Sequence, residues 1–168
     1  FPPVKHINVL NAVENLSATM NANAVTLTWD ALSGADEYII RRNGEEVATQ
    51  TETTFTETLA EGIYTYNIVA RNGNKYSMPA FITVNTNAIS VDEIVTEHVS
   101  VYPNPTSGIL NVDINENFNA VIYNYQGQVV MKTYVNNGQI DMSQLASGIY
   151  FVEIRTNNSV SVEKVIVK

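Results

Sequence analysis

The 168-residue sequence contains no cysteine, which excludes disulfide bonds, thiolate nucleophiles and cysteine-ligated metals from this chain. Histidine occurs twice, and neither His6 nor His98 has a candidate nucleophile or ligand nearby in the sequence. No apolar run approaches the roughly 18 residues that a membrane-spanning helix needs. We therefore expect no membrane span, no cofactor, no metal site and no catalytic residue in this chain.

Basic residues are scarce: nine lysines and arginines stand against 17 aspartates and glutamates, for a net charge of −8. An acidic chain repels phosphate backbones and anionic lipid, so nucleic acid and membrane surfaces are poor partners. Residues 1–86 carry five basic and nine acidic residues, and residues 87–168 carry four and eight. Charge therefore does not distinguish the two halves.

What the chain has in quantity is strand patterning. Val25–Trp29 and Tyr64–Ala70 alternate between apolar and other side chains, and Leu110, Val112 and Ile114 repeat the pattern. Such alternation places one face on a core and leaves the other toward water. Many short strands and 45% hydrophobic residues predict an all-β fold with two small immunoglobulin-like β-sandwich domains in tandem. Asparagine-glycine pairs, which favour hairpin turns, occur at Asn43-Gly44, Asn72-Gly73 and Asn137-Gly138.

We divide the chain on composition. Polar and acidic residues without alternation, including Asp92-Glu93, follow the strand that ends near Asn85. The chain begins at Phe1 with neither an initiator methionine nor an export signal, so we expect a processed product or a fragment of a longer protein. The predicted parts are a leader segment (1–12), a first domain (13–86), a linker (87–98) and a second domain (99–168).

In the first domain Trp29 closes an alternating strand, and Leu59 and Gly62 precede Tyr64 at the start of another. These residues resemble a fibronectin type III domain, in which a core tryptophan lies on the second strand and a tyrosine after a leucine-and-glycine turn closes a corner at a later strand. The resemblance implies that both aromatic residues are structural.

Arg41-Arg42 lies beside an asparagine-glycine turn. Two alternatives are open for this pair: a small basic tip, or a solvated hairpin end.

The second domain opens with Tyr102-Pro103-Asn104-Pro105, has a glycine turn between two strands at Gly127, carries a Leu-x-x-Gly-x-Tyr motif at residues 145–150 and ends on a basic-flanked apolar strand. These four pieces, in this order, resemble the type A C-terminal sorting domain of Bacteroidetes type IX secretion cargo. The predicted sorting-signal residues are Tyr102, Pro103, Asn104, Pro105, Gly108, Gly127, Gly148, Tyr150, Lys164, Val165, Val167 and Lys168.

The resemblance implies a route and partners. Cargo of this family crosses the outer membrane through the type IX translocon to the medium or the cell surface. A sortase-like peptidase then commonly removes the domain and joins the cargo to anionic lipopolysaccharide. By analogy the cut falls between Thr86 and Val99. Such tails often follow virulence-associated proteases, so we expect a non-catalytic segment whose parent carries the activity.

The last strand has two notable features, and the first leaves two alternatives open. Val160 and Val162 share one parity, whereas Val165 and Val167 share the other. Either a bulge lies near Glu163-Lys164, or both faces of the strand are covered. A terminal edge strand is also expected to offer unpaired backbone groups to a receptor.

The alternative function is a carbohydrate-binding or adhesin module. It requires exposed aromatic residues, and the candidate pairs are Tyr76 with Phe81 and Tyr123 with Tyr125. Alternation predicts that Phe81 and one tyrosine of the second pair are buried, which counts against this function. The oxygen-rich run 111–117 lacks the central glycine and terminal glutamate of an EF-hand, so calcium binding is not expected there.

Overall fold

The structure, a computed structural model, describes residues 11–87 and 98–168. The predicted all-β fold of two sandwiches is confirmed by the sheets of these residues. The first module contains β1 (Ser17–Asn21), β2 (Ala24–Thr28), β3 (Glu37–Arg42), β4 (Glu45–Gln50), β5 (Thr54–Thr58), β6 (Ile63–Asn72), β7 (Lys75–Tyr76) and β8 (Ala80–Asn85). The second contains β9 (Val101–Tyr102), β10 (Ile109–Val112), β11 (Phe118–Asn124), β12 (Val129–Val135), β13 (Gln139–Asp141), β14 (Gly148–Arg155) and β15 (Val160–Val167).

The two modules repeat one strand topology. In the first, β1-β2-β5 form one sheet, while β4-β3-β6 continue into β8 in the other; the short β7 also pairs with β6. In the second, β9-β10-β13 and β12-β11-β14-β15 have the same order. Each module is therefore a sandwich of a three-stranded and a larger sheet, and β15 occupies the place that β8 has in the first module.

Each module has its own apolar core between its two sheets. In the first module Leu27, Ile40 and Ile68 are fully buried. Trp29 follows β2, is 4% exposed and meets the ring of Tyr38 edge-on at 5.5 Å. The second core joins β10 with the larger sheet, and its members include Leu110, Val112, Ile122, Val152 and Val165. Alternation along the strands selects these residues, as expected for sheets with one face on a core.

A six-residue corner is repeated in both modules. Residues 59–64 read Leu-Ala-Glu-Gly-Ile-Tyr and residues 145–150 read Leu-Ala-Ser-Gly-Ile-Tyr. The hydroxyl of Tyr64 donates to the carbonyl of Ala60 at 3.2 Å, and that of Tyr150 donates to the carbonyl of Ala146 at 2.8 Å. Both are tyrosine corners, which fix the entry into β6 and β14.

The asparagine-glycine turns have different fates. Asn43-Gly44, with φ angles of 51° and 86°, joins β3 to β4 as a hairpin, and Asn72-Gly73 joins β6 to β7. The hairpin prediction is wrong at Asn137-Gly138, because β12 pairs with β11 while β13 pairs with β10. This turn instead carries the chain from one sheet of the sandwich to the other.

The modules contact each other through the outer faces of their larger sheets. On β6, Thr65, Asn67 and Val69 point away from the first core, yet each is at most 1% exposed. Phe81 of β8 lies against the rings of Tyr123 and Phe151, with centroid distances of 5.1 and 5.2 Å. The chain is thus two sandwiches stacked sheet on sheet.

Several predictions from the sequence fall on residues 1–10 and 88–97, which lie outside the described residues. They are most of the leader segment, His6, most of the linker with Asp92-Glu93, and most of the interval for the expected cut. The domain boundaries therefore stay predictions, within which all fifteen strands lie.

Candidate functional site

The first and last pieces of the predicted sorting signal lie side by side. After β9, the residues Pro103, Asn104 and Pro105 run along the outer edge of β15. Proline lacks the amide donor that a regular ladder needs, so this segment pairs through its other residues. The sequence pieces that open and close the second module therefore form one site.

Asn104 and Thr106 pair with the terminal strand. The side chain of Asn104 donates to the carbonyl of Lys164 at 2.8 Å and accepts from the amide of Ile166 at 3.0 Å. The amide of Thr106 donates to the carbonyl of Ile166, and its carbonyl accepts from the amide of Lys168, both at 2.9 Å. The expectation of an unpaired terminal edge is wrong between Lys164 and Lys168, because these contacts saturate the outward backbone groups there.

The valines of β15 change from one face of the strand to the other without a bulge. Residues 160–167 pair with β14 in one continuous register. Val165 and Val167 enter the core of the second module, while Val160 faces the opposite side. Val160 is nevertheless 4% exposed and lines a cleft with Phe81 of the first module. No bulge is present, and both faces are covered in the first half of the strand, whereas Lys164 and Ile166 are exposed on the face that carries Val160.

Charged and aromatic signal residues remain at the surface. Lys164 and Lys168 are exposed on β15 and just beyond it, and Tyr102 is 55% exposed. These side chains flank the paired edge formed by Asn104 and Ile166. The site therefore presents two cations and a phenol around a strand on which Val165 and Val167 are buried and Ile166 is 39% exposed.

The glycines of the predicted signal have distinct structural roles. Gly127 has a φ of 73° in the turn between β11 and β12, and a β-carbon there would lie 2.3 Å from the Oδ1 atom of Asn67. Gly108 lies buried in the turn before β10. At Gly148 a β-carbon would meet the ring of Tyr150 at an ordinary 3.8 Å. Only Gly127 therefore combines a left-handed backbone with a close approach to the first module.

A buried charged group that the sequence reading did not identify lies on β14. Glu153 is 2% exposed, and its carboxylate accepts from the hydroxyl of Tyr123 at 2.8 Å and pairs with Arg155 at 2.9 Å. Burial, together with this carboxylate, raises the pKa of Tyr123. The sequence feature that could have identified this buried group is a glutamate and an arginine two residues apart on a strand rich in apolar residues.

Arg41 and Arg42 form neither a small basic tip nor a solvated hairpin end, so both alternatives are wrong. Arg41 is 7% exposed and donates to the carbonyl of Gln126 at 2.9 Å. Burial lowers the pKa of its guanidinium, and the carboxylate of Glu46 partly counteracts this. Arg42 pairs with the carboxylate of Glu57. Both charges are therefore engaged in structural contacts.

Among residues 11–87 and 98–168, no group of three or more histidine, cysteine, aspartate or glutamate side chains is placed to hold a metal ion. No helix in this part of the chain has the length and apolar character that crossing a membrane requires. The oxygen-rich run 111–117 lines a polar cleft of about 360 Å³.

Comparisons with known proteins identify the second module. Residues 100–168 match the family model of the secretion system C-terminal sorting domain. Over 72 residues the chain is 36% identical to β-agarase D of Zobellia galactanivorans, which covers 43% of this chain and 15% of that protein. The chain spans less than a third of the length of the curated relatives that it matches.

Two solved structures have a distant likeness to the whole chain. A two-domain fibronectin type III segment of chicken tenascin has a TM-score of 0.38 and 15% identity, covering 93% of this chain and 98% of that one. Dimeric latent PorU of Porphyromonas gingivalis has a TM-score of 0.33 and 14% identity, covering 99% and 21%. At these scores neither likeness assigns a function.

The family match coincides with the second sandwich and with the paired edge that its signal pieces form. Domains of this family mark proteins that are secreted or held at the outer-membrane surface. The second sandwich, residues 100–168, is therefore the part of this chain that matches the type IX secretion system C-terminal sorting domain, and it follows a first module with the same sandwich topology.

Proposed function

We propose that residues 98–168 direct a cargo protein through the type IX outer-membrane translocon, and that the paired edge of β15 is the part that the machinery reads. The family match of residues 100–168 carries the proposal. The geometry supports it, because Asn104 and Lys168, 64 positions apart in the sequence, meet at one exposed edge.

We further propose that a sortase-like peptidase cuts between Thr86 and Val99 and transfers the cargo to anionic lipopolysaccharide. The family implies this step, and the proposed interval separates two complete sandwiches. A cut there leaves the strands β1 to β8 on the cargo and β9 to β15 on the released domain. Each product then retains its own apolar core.

The activity of the parent belongs, in this proposal, to residues outside this chain. The sorting domain is a non-catalytic module, and partial identity to β-agarase D supports a parent that hydrolyses a polysaccharide. A protease is the other kind of parent, which the family resemblance implies.

The alternative, a carbohydrate-binding or adhesin module, loses its two candidate aromatic pairs. Phe81 and Tyr123 contact each other in the interface between the modules. Tyr125, at 48% exposed, therefore stands without Tyr123 as a stacking partner. This arrangement favours the sorting function.

The test is an export assay with the full chain fused behind a periplasmic reporter in a host with type IX secretion. We expect the reporter in the medium or on the surface. A Lys164→Gln/Lys168→Gln variant, which leaves the buried Val165 and Val167 in place, is expected to lower export at least several-fold. Lys132→Gln, at an exposed position on β12, the opposite edge strand of the same sheet, is the matched control.

Two results would contradict the proposal. One is a reporter that stays in the periplasm with the unaltered chain. The other is equal export of the double lysine variant and the Lys132→Gln control, which would show that export does not depend on the edge of β15. Mass analysis of the exported product locates the cut and tests the proposed interval independently.

A further inference from the structure

The outer face of the β4-β3-β6-β8 sheet has the burial of a binding surface. Thr65 and Asn67 are 1% exposed and Val69 is fully buried, although none belongs to the core of the first module. Thr83 on β8 is 6% exposed in the same layer. Polar side chains on the outer side of a sandwich are usually solvated, so their burial shows how completely the second module covers this face.

The centre of the contact is aromatic. Phe81 meets Tyr123 at 5.1 Å with the rings inclined at 62°, and it meets Phe151 at 5.2 Å. The edge-to-face packing of Phe81 on Tyr123 is favourable beyond the apolar area that it buries. Buried aromatic anchors surrounded by polar contacts are the usual arrangement of a specific protein interface.

An arginine from each module also donates a hydrogen bond to the backbone of the other. Arg41 of the first module donates to the carbonyl of Gln126 at 2.9 Å. Arg155 of the second donates to the carbonyl of Ile63 at 2.9 Å and to the hydroxyl of Thr65 at 3.1 Å. Charged donors to neutral acceptors give directional bonds that salt weakens little compared with surface ion pairs.

The turns of the two sheets interlock at the edge of this face. The side chain of Asn67 donates to the carbonyl of Gly127 at 3.1 Å. A β-carbon on Gly44 would lie 2.2 Å from the Cγ2 atom of Val129. Glycine in both turns therefore permits backbone approaches that any side chain would block.

We propose that the outer face of the first module is a receptor surface for the sorting domain, and that it holds the domain after the linker is cut. The proposal does not depend on export. Its consequence is that chain cleavage and release of the sorting domain are separate steps, because the sheets must part before the domain can leave. Repulsion between two acidic modules favours their separation only at low ionic strength.

The test inserts a recognition sequence for a specific protease between residues 88 and 97 of the full chain. After cutting, the halves are passed over a gel-filtration column at about 10 μM in 0.15 M and 0.5 M salt. We expect both halves to elute together at the volume of the uncut chain in both salts. Fluorescence of Trp29, which is unique in the sequence and buried in the first core, reports that the first half stays folded.

A Phe81→Ala/Arg41→Gln variant removes the aromatic anchor and the hydrogen bond from Arg41 to the carbonyl of Gln126, and both changes lie on the outer face of the first module rather than in a core. We expect its cut halves to elute separately, with unchanged Trp29 emission. Arg71→Gln is the matched control, since Arg71 lies at the end of β6 and pairs with Glu37 within its own module. Separate elution of the unaltered halves, or co-elution of the double variant's halves, would overturn the proposal.

Discussion

At the residue scale, Glu153 is an ionisable group that is almost fully removed from water. Its carboxylate is held by the Tyr123 hydroxyl and the Arg155 guanidinium, and Arg155 also reaches the first module. A buried carboxylate depends on such partners, because losing one leaves charge without compensation. The contact between the modules and the stability of the second sandwich are therefore linked through this residue.

Replacing Tyr123 with phenylalanine should lower the free energy of unfolding by about 1–3 kcal/mol, because one buried acceptor of Glu153 loses its donor. Urea unfolding followed by far-UV circular dichroism measures the change. Tyr134→Phe, at a tyrosine that is 61% exposed, is the matched control and should stay within about 0.5 kcal/mol. Equal stability of the two variants would show that the hydroxyl of Tyr123 does not stabilise the fold through Glu153.

Stability should also fall at alkaline pH for an identifiable reason. Burial raises the pKa of Tyr123, and burial with the Glu57 carboxylate raises the pKa of Tyr66. In the unfolded chain a tyrosine has a pKa of about 10. The contribution of these two tyrosines to the free energy of unfolding is therefore complete below a pH of about 10. It is lost as the pH rises toward their folded-state pKa values. Urea midpoints measured between pH 8 and 12 should decline less steeply in Tyr123→Phe than in the unaltered chain; parallel declines would contradict this.

At the element scale, β15 is an edge strand whose C-terminal half is closed by the segment that enters the module. Asn104 replaces a neighbouring strand by offering one acceptor and one donor from its side chain. Pro103 before it and Pro105 after it lack the amide donors that a regular ladder needs. The strand that carries the end of the predicted sorting signal is thus ordered by residues some sixty positions earlier.

Asn104→Leu should open this edge locally. We expect the amide of Ile166 to exchange with deuterium about tenfold faster, which corresponds to about 1.4 kcal/mol of local stability. The amide of Met142, bonded at 2.7 Å to Gly108 in the other sheet, is the internal reference and should be unchanged. Unaltered exchange at Ile166 in two-dimensional NMR would show that Asn104 does not hold the edge.

At the scale of the whole molecule, the cores were predictable and the contact between the modules was not. Alternation selected Tyr66, Ile68 and Val112 because a core accepts only apolar side chains. The opposite face of β6 carries Thr65 and Asn67, which read as solvent-facing. A partly polar interface has the same composition as a surface, so periodicity does not distinguish water from a partner module.

The paired edge at the terminus was predictable only in part. Sequence pieces identified Asn104 and Lys164 as members of one signal, but not as neighbours in space. The parity change between Val162 and Val165 indicated a second covered face without naming its cover. Pairings over such separations depend on the complete sandwich, and no local propensity encodes them.

The most direct test of the stacked arrangement uses the absence of cysteine from the chain. The β-carbon position of Gly44 lies 3.5 Å from the Cβ atom of Val129, within the range of a disulfide. We expect the Gly44→Cys/Val129→Cys variant to oxidise to an intramolecular disulfide, seen as a mass loss of about 2 Da and faster migration in gels without reductant.

The control pair, Gly73→Cys with Val129→Cys, places the first cysteine at another glycine of positive φ that has no atom within 4 Å of its β-carbon position. It should stay reduced under the same conditions. Selective oxidation of the first pair is the result that the stacked sheets predict. Equal oxidation of the two pairs, or none in either, would contradict the contact between the modules.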